Sequence, residues 1–163
     1  MRKAVALAAG LLVLLLVNYG IYRRERLLTK GRVVFLALSP VDPRSLMQGD
    51  YMRLSFAAAD HAFSRERTPP ADGHLVVALD RQGVGRFRRL ADTAPLQPNE
   101  VALRYRIRRG QANLATNAFF FEEGQAKAFA NARFGEFRVS RDGEMILTGL
   151  RGPHLEPLQR IAK

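Results

Sequence analysis

The sequence predicts a mainly β protein with a minor α component. An N-terminal transmembrane helix leads into a compact β-rich domain, barrel- or sandwich-like, with one short helix. Three observations carry that expectation. Residues 4–22 form an uncharged run rich in Leu, Val and Ala. From Val33 onward the chain changes to short runs in which apolar and polar residues alternate, the period of a half-buried strand. Gly, Asp and Pro punctuate those runs where hairpin turns need them. At 163 residues the chain is sized for one domain.

The order of segments follows. Residues 1–3 are a basic tail, 4–22 an anchor, 23–32 a basic juxtamembrane linker and 33–163 the β-rich domain. About 20 apolar residues suffice to cross the hydrocarbon core as a helix, which satisfies its own backbone. Tyr19 and Tyr22 fall at the far interface, where amphipathic rings prefer to lie. A cleaved signal peptide would need small residues at alternate positions, and residues 17–22 offer no such pair, so the anchor is read as retained. The basic head before the apolar run resembles an export signal and puts the domain on the periplasmic side. The charge after the run (Arg23, Arg24, Arg26, Lys30, Arg32) argues the other way.

Within the domain, residues 33–38 form a continuous apolar run, broken by Pro40, Asp42 and Pro43. Residues 51–56 alternate, with Met52, Leu54 and Phe56 on one face and Tyr51, Arg53 and Ser55 on the other. Residues 61–73 are polar, carry Pro69-Pro70 and read as a loop. Residues 75–80 and 84–90 flank Arg81-Gln82-Gly83 as a hairpin. Val101, Leu103, Tyr105 and Ile107 alternate with Ala102, Arg104, Arg106 and Arg108 in the clearest strand. Residues 119–121 close a further apolar run. Residues 124–133, with four alanines, supply the one helix. Residues 134–140 and 144–150 surround Arg141-Asp142-Gly143, a second hairpin.

Composition removes whole classes of chemistry. With no cysteine there is no disulfide framework, thiolate metal site, iron–sulfur cluster or cysteine nucleophile. His61, His74 and His154 are scattered and not at metal-ligand spacing, so neither metal nor cofactor is expected. The net charge of +11 divides unevenly. Residues 1–32 hold seven basic residues against Glu25, a net +6, and the other 131 residues hold +5. More than half the excess thus flanks the apolar run, which points to a lipid bilayer rather than to nucleic acid. The Arg104/Arg106/Arg108 stripe, with Arg86 and Arg88, is a solvated strand face or an electropositive surface for an anionic partner.

The candidate site is the segment around residues 40–56. Asp42 can fix an Asx-type turn between Pro40 and Pro43, Gly49 permits positive φ, and Asp50 can end that turn before the strand begins. Arg44 and Arg53 are placed to bridge to Asp42 and Asp50. A stiff loop of this kind, with Tyr51 pointing off the sheet, is a docking edge, and Glu123-Gly124 is placed to line the same edge. Glu122 and Glu123 otherwise favour a helix start. The candidate binding residues are therefore Asp42, Arg44, Gly49, Asp50, Tyr51, Arg53, Glu123 and Gly124.

Two resemblances meet in these residues. Ser45-Leu46-Met47-Gln48-Gly49-Asp50 resembles the stretch after the nucleophile of type I signal peptidases, membrane-anchored serine/lysine enzymes. Their serine lies eight residues before the glycine of Gly-Asp, and here that place holds Val41, which cannot attack. The domain past residue 32 has only Lys127 and Lys163 as lysines, so a hydrolase would have to pair Ser45 with Lys127. The longer match is to the bacterial membrane-anchored GDYXXLXY proteins. Residues 40–56, the Phe119–Gly124 run, the Ala-rich helix and the Gly143 to Leu150 segment all resemble that family. Phe56 stands where the last Tyr of the name motif is expected. The resemblance implies a single-pass protein of the bacterial inner membrane, with multi-spanning membrane proteins as companions. The residues and the resemblance together lead to a non-catalytic protein-binding or accessory module. The alternatives are the Ser45/Lys127 hydrolase and a sensor of small anions held by Arg44, Arg53 and the Arg104 stripe.

Overall fold

The computed structural model describes residues 2–39, 47–48, 51–64, 70–108, 111–122 and 126–158. The chain opens with a helix, α1 (Arg2–Lys30), of 29 residues, about 43 Å at 1.5 Å per residue. It does not stop where the apolar run ends. Residues 23–28 are good helix formers, so the segment expected as a linker continues the helix instead. Asn18 Nδ2 donates to the Leu14 carbonyl at 2.9 Å, so the one strongly polar side chain of the run is satisfied within the helix. Among the described residues no helix is long and apolar enough to cross a membrane. Of the 4–22 run, the side chains of residues 4–6 and 8 lie outside the described ones.

The helix ends at Gly31, and β1 (Arg32–Ala37) begins at the next residue. Gly31 N–H still donates to the Leu27 carbonyl at 2.9 Å. A Cβ at Gly31 would fall 2.4 Å from that carbonyl oxygen and 3.0 Å from Arg138 Cβ. Only glycine permits the helix end and the sheet to come so close.

The remaining strands are β2 (Met47–Gln48), β3 (Tyr51–Arg53), β4 (Asp72–Leu79), β5 (Val84–Leu90), β6 (Glu100–Arg108), β7 (Gln111–Leu114), β8 (Ala118–Phe120), β9 (Phe134–Val139) and β10 (Met145–Arg151). Two short helices, α2 (Ala57–Phe63) and α3 (Ala126–Phe129), complete the described elements. Seven strands form one sheet in the order β10-β9-β1-β5-β4-β6-β7, and β2-β3-β8 form a second. Just past β1, Leu38 bridges to Phe56 just past β3, and Leu54 N–H donates to the Asn117 carbonyl at 2.7 Å between β7 and β8. The small sheet is thus tied to both parts of the large one. The result is a mainly β, nearly closed, barrel-like wall.

The core lies inside that wall. Val34, Leu36, Leu75, Val77, Leu103 and Phe137 are wholly buried. In β6 the alternation holds: Val101, Leu103 and Tyr105 face the core, while Arg104, Arg106 and Arg108 do not. Both expected hairpins form. Asp80 Oδ1 accepts the backbone N–H groups of Gln82 and Val84 at 2.9 and 3.0 Å, closing the β4–β5 turn. In the β9–β10 turn Gly143 has φ +80°, and a Cβ there would meet His74 Cδ2 at 2.7 Å and the Ala102 carbonyl at 3.1 Å.

Three expectations need correction. Among the described residues the domain has two short helices, not one: residues 61–63, read as loop, belong to α2. Its buried face is Ala58, Ala59 and Ala62, small enough for the helix to pack close against the strands, while Phe63 meets the Tyr105 ring edge-on at 4.8 Å. The alternation of residues 51–56 gave no hint of a helix directly after it. Second, β4 starts at Asp72, three residues earlier than expected, because β6 extends far enough to pair with it from Arg106. Third, Met47 and Gln48 belong to a strand rather than a loop, paired with Met52 and Tyr51. An element for which the sequence raised no expectation also forms: Gln111–Leu114 is a strand with no β-branched residue, held in place by pairing with β6. Within residues 124–133 the described helix is Ala126–Phe129 only.

Removing part of this core should be costly. Leu103→Ala is expected to lower the unfolding free energy by about 2–5 kcal/mol, the range for emptying a buried leucine site. Gly143→Ala should lose about 1–2 kcal/mol from the forced positive φ, before any clash with His74 is counted. Denaturant melts of both variants beside the parent check these values.

Candidate functional site

The expected site divides into a described part and a part that lies elsewhere. Asp42, Arg44, Ser45, Gly49, Asp50, Glu123 and Gly124 lie outside the described residues, as does the side chain of Lys127. Tyr51 and Arg53 are described, and both sit on β3. There Tyr51 is opposite Phe120 and Arg53 opposite Ala118, in antiparallel register. The alternation read from the sequence is the one observed. Met52, Leu54 and Phe56 are buried, Arg53 is exposed and Tyr51 is half-buried.

A partner to Tyr51 emerges that the sequence reading did not single out. Phe120 is 73% exposed, and its ring centre lies 5.9 Å from that of Tyr51 at a 40° tilt. The three phenylalanines of β8 and its end separate by alternation. Phe119 packs edge-on against Phe129 at 5.0 Å, Phe121 is buried against the same ring at 5.6 Å, and Phe120 points away from both. The signal was present in the run itself: three consecutive aromatics in a strand cannot all face one core. The outer face of the small sheet therefore presents an aromatic pair, Phe120 exposed and Tyr51 half-buried, with Arg53 beside it.

A second feature lies where α1 stands beside the large sheet. Its anchoring contacts are electrostatic and close to its C-terminal end. Arg23 reaches Asp142 at 3.3 Å and Glu144 at 3.5 Å, both on the β9–β10 turn. Arg104 on β6 approaches Glu144 at 3.7 Å, and Arg138 donates to the Gly31 carbonyl at 3.3 Å. The Asp142 carboxyl is held below its ordinary range. The hydroxyl of Ser140 donating to it is the main cause, with its own backbone and the charges of Arg23 and Arg104 adding to the effect against the desolvation of partial burial.

Between the C-terminal half of α1 and the outer face of β6 lies an open cleft of about 1700 Å³. Tyr19 and Tyr22 line it from α1, Arg104, Arg106 and Arg108 from β6, and Phe120 from the small sheet. The arginine stripe legible in the sequence is thus not merely a solvated strand face; it forms one wall of a concave surface. The sequence could not show that α1 would form the opposite wall.

Elsewhere the charges are structural. Glu100 is buried, accepting from Arg89 at 3.1 Å and from the Gln97 backbone at 3.1 Å. Glu136 and Arg151 pair across β9 and β10. Among the described residues no group of three His, Asp or Glu side chains is arranged to hold a metal. His74 points its Nε2 at the Asp142 carbonyl, 3.1 Å away, as part of the turn's packing.

The model of the GDYXXLXY protein family matches residues 13–150. No curated protein and no solved structure matches the chain.

The Asp142 contact gives a pH dependence of defined sign. A carboxyl whose value is lowered by folding stabilises the fold fully above the unfolded value, near pH 4. That contribution disappears as pH falls through the lower folded value. Asp142→Asn should therefore melt slightly below the parent at pH 7, by less than about 1 kcal/mol because the pair is exposed and solvent-screened. The difference should close as pH drops below about 4. Thermal melts of both proteins across pH 2.5–7 measure it.

Proposed function

The chain belongs to the GDYXXLXY protein family, and on that premise we propose that it is a membrane-anchored, non-catalytic binding module serving neighbouring membrane proteins. In this reading α1 is the anchor, in the bacterial inner membrane with the domain on the periplasmic side. The Tyr51–Phe120 pair, open to solvent through Phe120, is the docking edge for a multi-spanning partner.

The observation that carries the docking edge is the exposure of Phe120. A ring 73% open to solvent, in tilted contact with the tyrosine of the family's name motif and flanked by Arg53, has the composition of an interface centre. The anchor rests on a different observation. Leu11 to Val17 are each 55–62% exposed, and Tyr19, Ile21 and Tyr22 are similarly open. An exposed apolar surface of this kind is more at home in lipid than in water. The short Arg23 to Glu144 contacts then hold the domain against the membrane-proximal end of that helix.

A photo-crosslinking residue in place of Phe120, in the full chain expressed in its native membrane, should give one discrete adduct of defined mass. The same residue at Arg86, exposed on β5, should give none. Phe120→Asp introduced beside a crosslinker at Arg53 should abolish the adduct while changing stability by less than about 0.5 kcal/mol. No adduct from either position 53 or 120 overturns the docking edge.

A further inference from the structure

The cleft under α1 has a composition that the docking edge does not explain. Nine of its described lining residues are basic and three are acidic. The three carboxylates are already engaged: Asp142 and Glu144 by Arg23, and Glu100 by Arg89. Arg106 is paired with Asp72 at 3.4 Å on its outer side. Arg26 and Lys30 on α1, and Arg108 on β6, line the cleft with no ion-pair partner among the described residues. Apolar groups lie between these cations. Tyr22 and Leu27 come from the helix, Leu96 precedes β6, and Phe120 comes from the small sheet.

A surface that offers several unpaired cations together with apolar groups suits a ligand with both an anion and a hydrocarbon part. A free inorganic anion would use only the first. Position along α1 favours a lipid as well. Tyr19 and Tyr22 form the end of the cleft nearest the exposed Leu11 to Val17 run. Arg26 lies four residues beyond Tyr22, about 6 Å further along the axis. That distance falls within the headgroup layer, roughly 5–7 Å deep on each side of the hydrocarbon. Acyl chains lying along the apolar run would therefore deliver a phosphate to the height of Arg26, and Lys30, about 6 Å further along the axis, would reach back toward it along its four-carbon stem.

We propose that the cleft between α1 and β6 binds an anionic phospholipid, its phosphate held by Arg26, Lys30 and Arg108 and its upper chains against Tyr22 and Leu27. The proposal rests on the anchoring of α1 but not on the docking edge. The bound lipid fills the space between helix and sheet and so fixes the tilt of the domain over the bilayer. Diffuse attraction of a basic surface to a negative membrane would not discriminate between the cleft and other arginine-bearing faces, whereas a lipid site must.

The experiment uses the full chain purified in a neutral detergent, with native mass spectrometry counting retained lipid and thermal melts run in parallel. The probes are phosphatidylglycerol, phosphatidylcholine and inorganic phosphate. The cleft variant Arg26→Ala/Lys30→Ala/Arg108→Ala is compared with Arg81→Ala/Arg86→Ala/Arg88→Ala, which removes the same charge from the exposed β4–β5 hairpin. The parent should retain phosphatidylglycerol in preference to phosphatidylcholine and melt higher with it. The cleft variant should bind it about fivefold more weakly for each cation removed, while the hairpin variant matches the parent. Should the triple variant fail to fold, Arg108→Glu alone, at an exposed strand end, must still weaken binding. Equal loss in the two triple variants overturns the site in favour of diffuse charge. An equal thermal shift from inorganic phosphate overturns the lipid in favour of a free anion. Alkaline extraction of native membranes tests the anchor separately, because a chain released by it removes the premise whatever the lipid counts show.

Discussion

The arrangement depends on the central place of β1. This strand pairs antiparallel with β9 along all six of its residues and parallel with β5 at Phe35 and Leu36. It is also the strand that α1 enters through a single residue. Val34 and Leu36 are wholly buried on its inner side. A central strand paired on both edges tolerates little displacement, because every side chain changes face on a one-residue slip. The helix is consequently joined to the least adjustable part of the domain. Gly31 makes the junction sterically possible, and the Arg23 contacts to the β9–β10 turn brace it from the side.

That constraint links the two surfaces. β6, whose outer arginines form one wall of the cleft, is separated from β1 by two strands, β5 and β4. β8, which carries Phe120, follows β7 after three residues and is tied to β3 by register. Phe120 lines the cleft and is also in tilted contact with Tyr51, so it stands where the cationic concavity meets the aromatic edge.

Much of the domain was legible in the sequence because the local and tertiary signals agreed. The β4–β5 and β9–β10 hairpins were marked by Gly83 and Gly143, and the β6 stripe by strict alternation, which burial of Leu103 and Tyr105 matches. The elements that escaped notice are those formed by tertiary context. α2 follows a strand without a turn signal, and its alanines carry no periodic contrast. The Gln111–Leu114 strand exists because β6 offers an edge, and the parallel pairing of β1 with β5 joins segments with no shared local pattern. For the candidate site, Tyr51 and Arg53 were found by motif and alternation. Phe120 required knowing that β8 lies beside β3, and the cleft required knowing where α1 stands.

The direct junction of α1 to β1 also has a mechanical consequence. If the helix is held and the domain is pulled, the load enters along the axis of β1. It is resisted by pairs on both flanks at once, six to β9 and two to β5. Those hydrogen bonds lie across the direction of pull and must be sheared together rather than opened one by one. A flexible tether would absorb such a pull by extending. Here the helix passes into the wall through one residue, so such a pull is borne by β1 and its pairs from the outset.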